Sequence, residues 1–456
     1  MFSYKGRAIR SVGFLGFGKS NSHLLNYLSS KDPDLKFTLR QNTQKEKDAF
    51  GFERVFSGDG WLDNIDEDVL FLSPSVRRDD PKLIAAMNRG VIISSDTELF
   101  LSLNRGDVFA VTGSDGKSTT TYLTSLLLSE AYTSSMPVGN FGEPLASHIE
   151  DGDGCAYALE LSSFTLNYLA PKSKRAVITN ISENHLNWHS SFEEYIAAKR
   201  NVLFNTEKRV YSYDCEITRK VMKDFPAYAV FSTELSEAEL RKSVEAEVYI
   251  TLCGGNILIN GVAALSIEKM LVKGRHNVLN SMAAIAMTEG IVSDRFRRRT
   301  LEGFRGLKHR CERIGKFRGV QYYDSSIDTS PKRCISTLSS FNERVILILG
   351  GRTKGQDYKE LLPAIKKHVK HAVLTGECSE ELYELFLCDA EIKDMKIKYT
   401  VIKDFFEAVV YAAAVAREGD SVLLSPAATS YDRFKDFEER GEYFKLCVMG
   451  IAKERN

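Results

Sequence analysis

The chain has 456 residues, 61 Lys+Arg against 61 Asp+Glu, and a formal net charge of zero. That length suits roughly three domains with well-buried cores, and the charge balance leaves no basic field for nucleic acid or an anionic membrane surface, so neither is expected as a partner. The eight cysteines include no C-x-x-C pair. They read as free thiols in a reducing compartment, and zinc is not implied. The opening MFSYKGRAIRSVGFLGFG has only a short apolar run broken by glycines, so a soluble, cytoplasmic protein is expected.

From Ser11, SVGFLGFGKSNSHLLNYL reads as strand, glycine turn and helix, and the strands KFTLR, DVLFLSP and GVIISS follow it. The turn is an incomplete G-x-G-x-x-G, with Asn21 where the third glycine would stand. It reads equally as a phosphate-facing loop or as a tight turn. A second α/β unit starts at the strand Val108 to Val111, continues through CAYALEL and RAVITN, and runs to about Gly303. It contains EVYITLCGGNILING, which reads as an antiparallel hairpin, and a helix from Asn277 to Thr288. In the third unit GVQYYDSS, ERVILILGG, HAVLTG and SVLLSPAA read as buried strands, each followed by a helical pattern. The expected domains are residues 1–104, 105–304 and 305–456.

Val108 to Thr121, VFAVTGSDGKSTTT, carries the strongest chemical signal. A strand runs into a glycine turn whose backbone amides, together with the next helix N-terminus, can cradle phosphate. A lysine can then neutralise charge and a hydroxyl can hold Mg²⁺. The strict G-x-x-x-x-G-K-[ST] spacing would need Gly at 111; Val111 stands there and Gly113 supplies the turn. Gly113, Ser114, Asp115, Gly116, Lys117, Ser118 and Thr119 are the candidate nucleotide contacts. Glu160 ends a strand of the same unit, where a carboxylate can reach a phosphate-bound Mg²⁺, although such a residue also serves as a cap or surface group. In TNISENHLNWHSSFEEYIAAK, His185 and His189 stand four apart and could share a helix face as metal ligands. The alternative makes His185 a loop residue and puts Lys199 on a solvated helix face.

The segments VTGSDGKSTTT, LELSSF, TNISENHLNWH with IAAKRNVLF, GRHNVLNSMAA, GLKHRCERIG, LILGG with Lys354, and LLSPAATSYDRFKDFEERG occur in this order along the chain. Their combination resembles the Mur ligase family, in its D-glutamate-adding branch. The resemblance implies an α/β, three-domain Mur ligase architecture: an N-terminal Rossmann-like UDP-binding domain, a central P-loop ATPase domain and a C-terminal Rossmann-like domain. It also implies ATP-dependent addition of D-glutamate to UDP-N-acetylmuramoyl-L-alanine through an acyl phosphate, in cytoplasmic peptidoglycan precursor synthesis, by a monomer.

Residue by residue, the resemblance makes Lys117, Glu160, His185 and Lys199 catalytic. Ser118, Glu160, His185 and a carbamylated Lys199 would be ligands to two Mg²⁺ ions. His276, Asn277 and Asn280 would contact adenine, and His309 and Arg310 would lie near ribose and phosphates. Lys19, Ser20 and Asn140 would face the uridine substrate, while Thr329, Lys354, Ser430 and Phe437 would face D-glutamate. The chain departs from the family pattern at Ser325, where an aspartate is usual, and at Ile327, where a lysine is usual; Asp324 is a candidate to supply the lost carboxylate. Asn184 and Asn187 also replace aspartates. The remaining alternatives are a ligase for another amino acid and a non-catalytic nucleotide-binding relative.

Overall fold

Near the N-terminus β1 (Ser3–Tyr4) and β2 (Arg7–Ala8) form a small antiparallel pair. The next five strands are β3 (Ser11–Leu15), β4 (Lys36–Gln41), β5 (Arg54–Ser57), β6 (Val69–Leu72) and β7 (Ile92–Ser94). They make a parallel sheet in the order β5-β4-β3-β6-β7. The central strands β3 and β6 are almost wholly buried, as a parallel sheet covered on both faces requires. The structure is a computed structural model and describes residues 1–42, 51–186, 188–353 and 355–454. Asn187 and Lys354, singled out above, lie outside the described residues.

The nine strands that follow are β8 (Asp107–Thr112), β9 (Ser134–Gly139), β10 (Cys155–Glu160), β11 (Ser173–Ile178), β12 (Thr206–Ser212), β13 (Ala229–Ser232), β14 (Val248–Cys253), β15 (Asn256–Ile259) and β16 (Val262–Ser266). They form one sheet ordered β16-β15-β14-β13-β12-β11-β8-β10-β9, parallel from β14 to β9 and closed by two antiparallel strands. The expected hairpin is β14–β15, turned through Gly254 and Gly255, both at positive φ as a two-residue turn between twisted strands demands. β9 contains Pro137 and lies at the sheet edge, the place where a missing ladder N–H is tolerated. These first two large sheets belong to one compact unit, Met1–Gly303.

The second compact unit, Phe304–Asn456, has its own six-stranded sheet. Its strands are β17 (Glu312–Phe317), β18 (Val320–Asp324), β19 (Val345–Gly350), β20 (Val369–Thr375), β21 (Lys398–Val401) and β22 (Ser421–Leu424). The order is β17-β18-β22-β19-β20-β21, with only β17 antiparallel. One face packs Leu338, Leu361, Ile365 and Phe386 against the sheet, and the other packs Phe405, Val409, Phe444 and Val448. Adjacent strands β22 and β19 send their connections to opposite faces, which opens a crevice at their carboxyl ends. All eight cysteines are free. Among the described residues no helix is long and apolar enough to cross a membrane.

Candidate active site

Centre and edge of the site are both set by β8, which lies between β11 and β10 and delivers the turn Gly113–Gly116 to the helix Lys117–Leu128. Gly113 has φ +152° and Gly116 φ +78°. A β-carbon at Gly113 would stand 1.9 Å from Thr179 Oγ1, and one at Gly116 2.2 Å from Asn280 Oδ1. Only glycine fits either place. The segment after β11 grips the turn from the other side. Ser114 N donates to Asn180 O (2.8 Å), Asp115 N to Asn180 Oδ1 (2.9 Å), and Thr179 Oγ1 to Asp115 O (2.7 Å). The helix has glycine at its N-cap and no side-chain cap, so the positive end of its dipole, at Lys117, Ser118 and Thr119, adjoins the turn. Lys117 Nζ folds back onto Gly113 O (3.0 Å) and Ser114 O (2.8 Å).

Two buried groups of opposite character flank this cradle. Glu160 ends β10 and is 3% exposed; its Oε1 accepts from Asn140 Nδ2 (3.0 Å), while Oε2 is buried with no hydrogen-bond partner among the described residues. A carboxylate oxygen held dry and unpaired is costly unless a cation joins it. Lys199, 1% exposed on the helix Phe192–Arg200, points its Nζ at Gly113 O (2.6 Å) and Thr112 Oγ1 (3.4 Å). Burial, reinforced by the Lys117 charge, pushes its pKa well below that of an ordinary lysine. The helix is aligned by Tyr195, whose hydroxyl lies 2.8 Å from Ser114 Oγ.

The two histidines part company. His185 sits in an exposed loop with φ +56°, its ring 4.9 Å from that of Phe164, and Asn184 Oδ1 accepts its backbone N–H (2.9 Å). His189 is 2% exposed, with Nε2 2.9 Å from Ser163 Oγ and its ring among Phe164, Trp188 and Tyr195. No helix carries the pair, so the shared helix face read from the spacing does not form, and His189 is a packed core histidine. The loop between them is tied to the first sheet by Trp188 Nε1 donating to Ser75 O (3.0 Å) and Arg77 Nη1 donating to Trp188 O (2.7 Å).

Beside the cradle lies a cavity of about 220 Å³, lined by Thr179, Asn180, Asp214, Cys215, Leu279 and Asn280 among others. The helix Arg275–Thr288 supplies Asn280, 7% exposed, with Oδ1 3.5 Å from Thr120 Oγ1. One turn earlier, Asn277 Nδ2 donates to Lys273 O (2.8 Å). Arg275 closes the rim, donating to Thr233 Oγ1 (2.9 Å), Asp214 Oδ2 (3.2 Å) and Glu234 Oε1 (2.5 Å). His276 is exposed beside it. In the first sheet Lys19 and Ser20 are exposed at the start of the helix after β3, and buried Asn21 donates to Gly16 O (2.7 Å) and Ser73 Oγ (3.3 Å). Asn21 therefore pins the turn where a third glycine would have let a helix approach.

Within the second unit His309, 4% exposed at φ +59°, has Nδ1 2.7 Å from Asp324 Oδ2. Asp324 Oδ1 accepts from Ser326 N (2.9 Å), so both its oxygens are engaged inside the unit. Ser325 is fully buried and its Oγ accepts from Cys311 N (3.1 Å). Arg310 follows His309 on the same turn. Thr329 O accepts from Gln356 Nε2 (3.2 Å), Ser430 is 2% exposed, and Phe437 O accepts from Ser326 Oγ (2.8 Å). Asp324 ends β18, which pairs with β22, and Ser430 lies in the segment that follows β22.

The Mur ligase middle domain matches residues 111–288, and the Mur ligase glutamate ligase domain matches residues 309–428. A UDP-N-acetylmuramoylalanine–D-glutamate ligase of Ruminiclostridium cellulolyticum is 37% identical over 97% of both chains, and one of Acetivibrio thermocellus is 35% identical over 97% of both. The chain belongs to the Mur ligase family, on the UDP-N-acetylmuramoylalanine–D-glutamate ligase branch. The fold agrees. The UDP-N-acetylmuramate-alanine ligase of Thermotoga maritima superposes with TM-score 0.57 at 19% identity, covering 97% of this chain and 99% of that one. A UDP-N-acetylmuramoyl-L-alanyl-D-glutamate–2,6-diaminopimelate ligase gives 0.55 at 16%, covering 96% and 92%.

In this Mur ligase several residues around the cradle were not singled out by sequence reasoning. Asn180 holds the turn through both its backbone and its side chain, yet it was only one letter of a quoted motif. Asp214 and Arg275, on the rim of the cavity, are 61 positions apart in the chain, and nothing local in the sequence pairs them.

Proposed function

We propose that the chain joins D-glutamate to UDP-N-acetylmuramoyl-L-alanine at the cost of ATP, through an acyl phosphate. The observation that carries the reading is the meeting, at the carboxyl ends of β8, β10 and β11, of a glycine cradle, an unpaired buried Glu160 oxygen and a buried Lys199 amine. The two relatives named above carry this activity in their names.

ATP fits the chain's groups. Gly113 to Thr119 would hold its phosphates, with Asn277 and Asn280 toward the base and His309 and Arg310 toward ribose and phosphates. Mg²⁺ also fits: the unpaired Glu160 carboxyl oxygen and the Ser118 hydroxyl are the hard oxygen donors that it favours. A second site would draw on His185 and on Lys199 as its carbamate, since the neutral amine that burial favours is the form that adds CO₂. When bound, Mg²⁺ supplies charge neutralisation on the phosphates.

In the reaction an oxygen of the L-alanyl carboxylate attacks the γ-phosphorus and ADP leaves. The amine of D-glutamate then attacks the acyl carbon, loses its proton, and expels phosphate carrying the carboxylate oxygen. Lys117 would swing from the turn carbonyls onto the phosphates and stabilise the charge gathered between two anions. Residues 1–104, with Lys19 and Ser20, would hold the uridine substrate together with Asn140. Residues 105–304 would carry the ATP chemistry, and residues 305–456 would hold D-glutamate through Thr329, Lys354, Ser430 and Phe437.

The test follows one atom. With ¹⁸O in the L-alanyl carboxylate, label is expected in the released inorganic phosphate; phosphate free of label under turnover would rule out the acyl phosphate.

A further inference from the structure

Arg77 belongs to none of the sequence motifs and to no step of the reaction above. It lies in residues 73–80, the segment that leaves the carboxyl end of β6. β3 and β6 are neighbours whose chains continue toward opposite edges of the first large sheet, so a ligand crevice opens between their carboxyl ends. Lys19 and Ser20 start the helix on one side of it. Residues 73–80 leave from the other side, joined to the first by Ser73 N donating to Leu15 O (2.9 Å) and Asn21 Nδ2 donating to Ser73 Oγ (3.3 Å).

From that wall Arg77 reaches the loop that carries His185. Its Nη1 donates to Trp188 O (2.7 Å), Nη2 donates to Glu194 Oε1 (3.0 Å), and Nε donates to both carboxylate oxygens of Asp79 (3.0 Å each). The guanidinium also stacks 4.8 Å from the centroid of the Trp188 ring. The stack continues to the histidine, with ring centroids 4.6 Å apart for Trp188 and Phe164 and 4.9 Å apart for Phe164 and His185. Trp188 Nε1 ties the same loop to Ser75 O (3.0 Å). Glu194 stands in the first turn of the helix that carries Lys199, and its Oε2 accepts from Ser190 N (2.6 Å) and Ser190 Oγ (2.7 Å).

The Asp79 contact alone would be a surface ion pair of small consequence. The contacts to Trp188 and Glu194 differ in kind, because they join residues 111 and 117 positions away. His185, at φ +56°, holds a backbone conformation that a residue with a side chain keeps only where its surroundings impose it. Since His185 is exposed, burial does not impose it; the ring stack and the bonds at Trp188 do. We propose that Arg77 is a positioning residue of the ligase reaction, holding the His185 loop and the start of the Lys199 helix against the wall of the β3/β6 crevice. The proposal rests on the ligase reading. Its chemistry needs a guanidinium, whose planar fork meets a carboxylate and a carbonyl while stacking on an indole, as one ammonium does not.

ADP release with UDP-N-acetylmuramoyl-L-alanine, ATP, Mg²⁺ and D-glutamate tests it, together with tryptophan fluorescence, in wild type, Arg77→Met and Arg77→Lys. Arg77→Met keeps the apolar stem and removes every donor. It is expected to lower kcat about tenfold or more, as displaced catalytic groups do, with KM for ATP and for D-glutamate within about threefold of wild type. The chain has two tryptophans, so in a Trp61→Phe background Trp188 is the sole emitter, and acrylamide should quench it about twice as strongly once Arg77→Met removes the stacked cation. Arg77→Lys should fall between the two. Wild-type kcat in Arg77→Met would overturn the proposal, as would a kcat loss with unchanged Trp188 quenching or a loss carried wholly by KM. If Arg77→Met does not fold, Arg77→Lys decides, and wild-type kcat and quenching there would overturn the proposal. A wild type without acceptor-dependent ADP release would overturn the ligase reading and the proposal with it, whereas an active wild type confines the failure to Arg77.

Discussion

Lys199 shows most clearly how one residue's surroundings set its chemistry. An ammonium at 1% exposure beside a second lysine is disfavoured, and the neutral amine is the nucleophile that carbamate formation needs. Lys199→Ala should therefore lose at least 100-fold in kcat, about 2.7 kcal/mol, and millimolar formate or acetate should restore part of it by supplying the missing oxygens. No recovery with either acid would count against the carbamate. A second buried charge has a purely structural task. Arg40, fully buried at the end of β4, spends all its donors on Glu67 (2.9 and 3.1 Å) and on the carbonyls of Trp61, Asp63 and Asn64. Glu67→Ala leaves that guanidinium without its counter-charge and should cost about 3 kcal/mol in urea unfolding; a cost below about 1 kcal/mol would show that the three carbonyls suffice. The sequence made Lys117 and Ser118 legible, because the chemistry of a phosphate cradle is local. It hid the Arg40–Glu67 pair, because its members stand 27 positions apart with the strand β5 between them.

At the scale of elements, apolar runs located most strands of all three large sheets, and Gly254–Gly255 announced the β14–β15 turn. What escaped was mostly short or at an edge, namely β5, β9, β13, β16, β17 and β21, but also the seven-residue interior strand β12, whose sequence TEKRVYS is too polar in its first half to read as a buried strand. The spacing of His185 and His189 suggested a helix, whereas the segment is a loop held by long-range bonds to Ser75 and Arg77 that no window of sequence contains. Glu194 anchors the end of that loop. Desolvation raises its pKa, but donors from Ser190 N, Ser190 Oγ and Arg77 outweigh this and hold it at about 2, against an ordinary 4.5. A depressed carboxylate stabilises the fold fully above the unfolded value and loses that contribution as pH falls from 4.5 toward 2. The acid limb of stability against pH should accordingly flatten in Glu194→Gln over that window. An unchanged limb would mean that the loop is held by the Trp188 contacts alone.

Over the whole molecule, the two compact units carry different groups: the first the cradle and its buried charges, the second the His309–Asp324 pair and the β22/β19 crevice. Much of the family's order of motifs was readable along the chain because VTGSDGKSTTT, LELSSF, TNISENH, LILGG and LLSPAATS sit at the carboxyl ends of β8, β10, β11, β19 and β22, where an open α/β sheet places its ligands. Ser325 and Ile327 are the departures whose effect the sequence left open. Ser325 is buried and bonded to Cys311 N, and Asp324 is already committed to His309 and Ser326, so the local fold is complete without the usual aspartate. Catalysis is therefore expected to survive both substitutions. The most direct measurement is ADP release from ATP, Mg²⁺ and UDP-N-acetylmuramoyl-L-alanine, with D-glutamate, L-glutamate, L-lysine and meso-diaminopimelate offered in separate reactions. Release with D-glutamate alone is the predicted result; release with another acceptor, or ATP binding with no acceptor-dependent release at all, would contradict it.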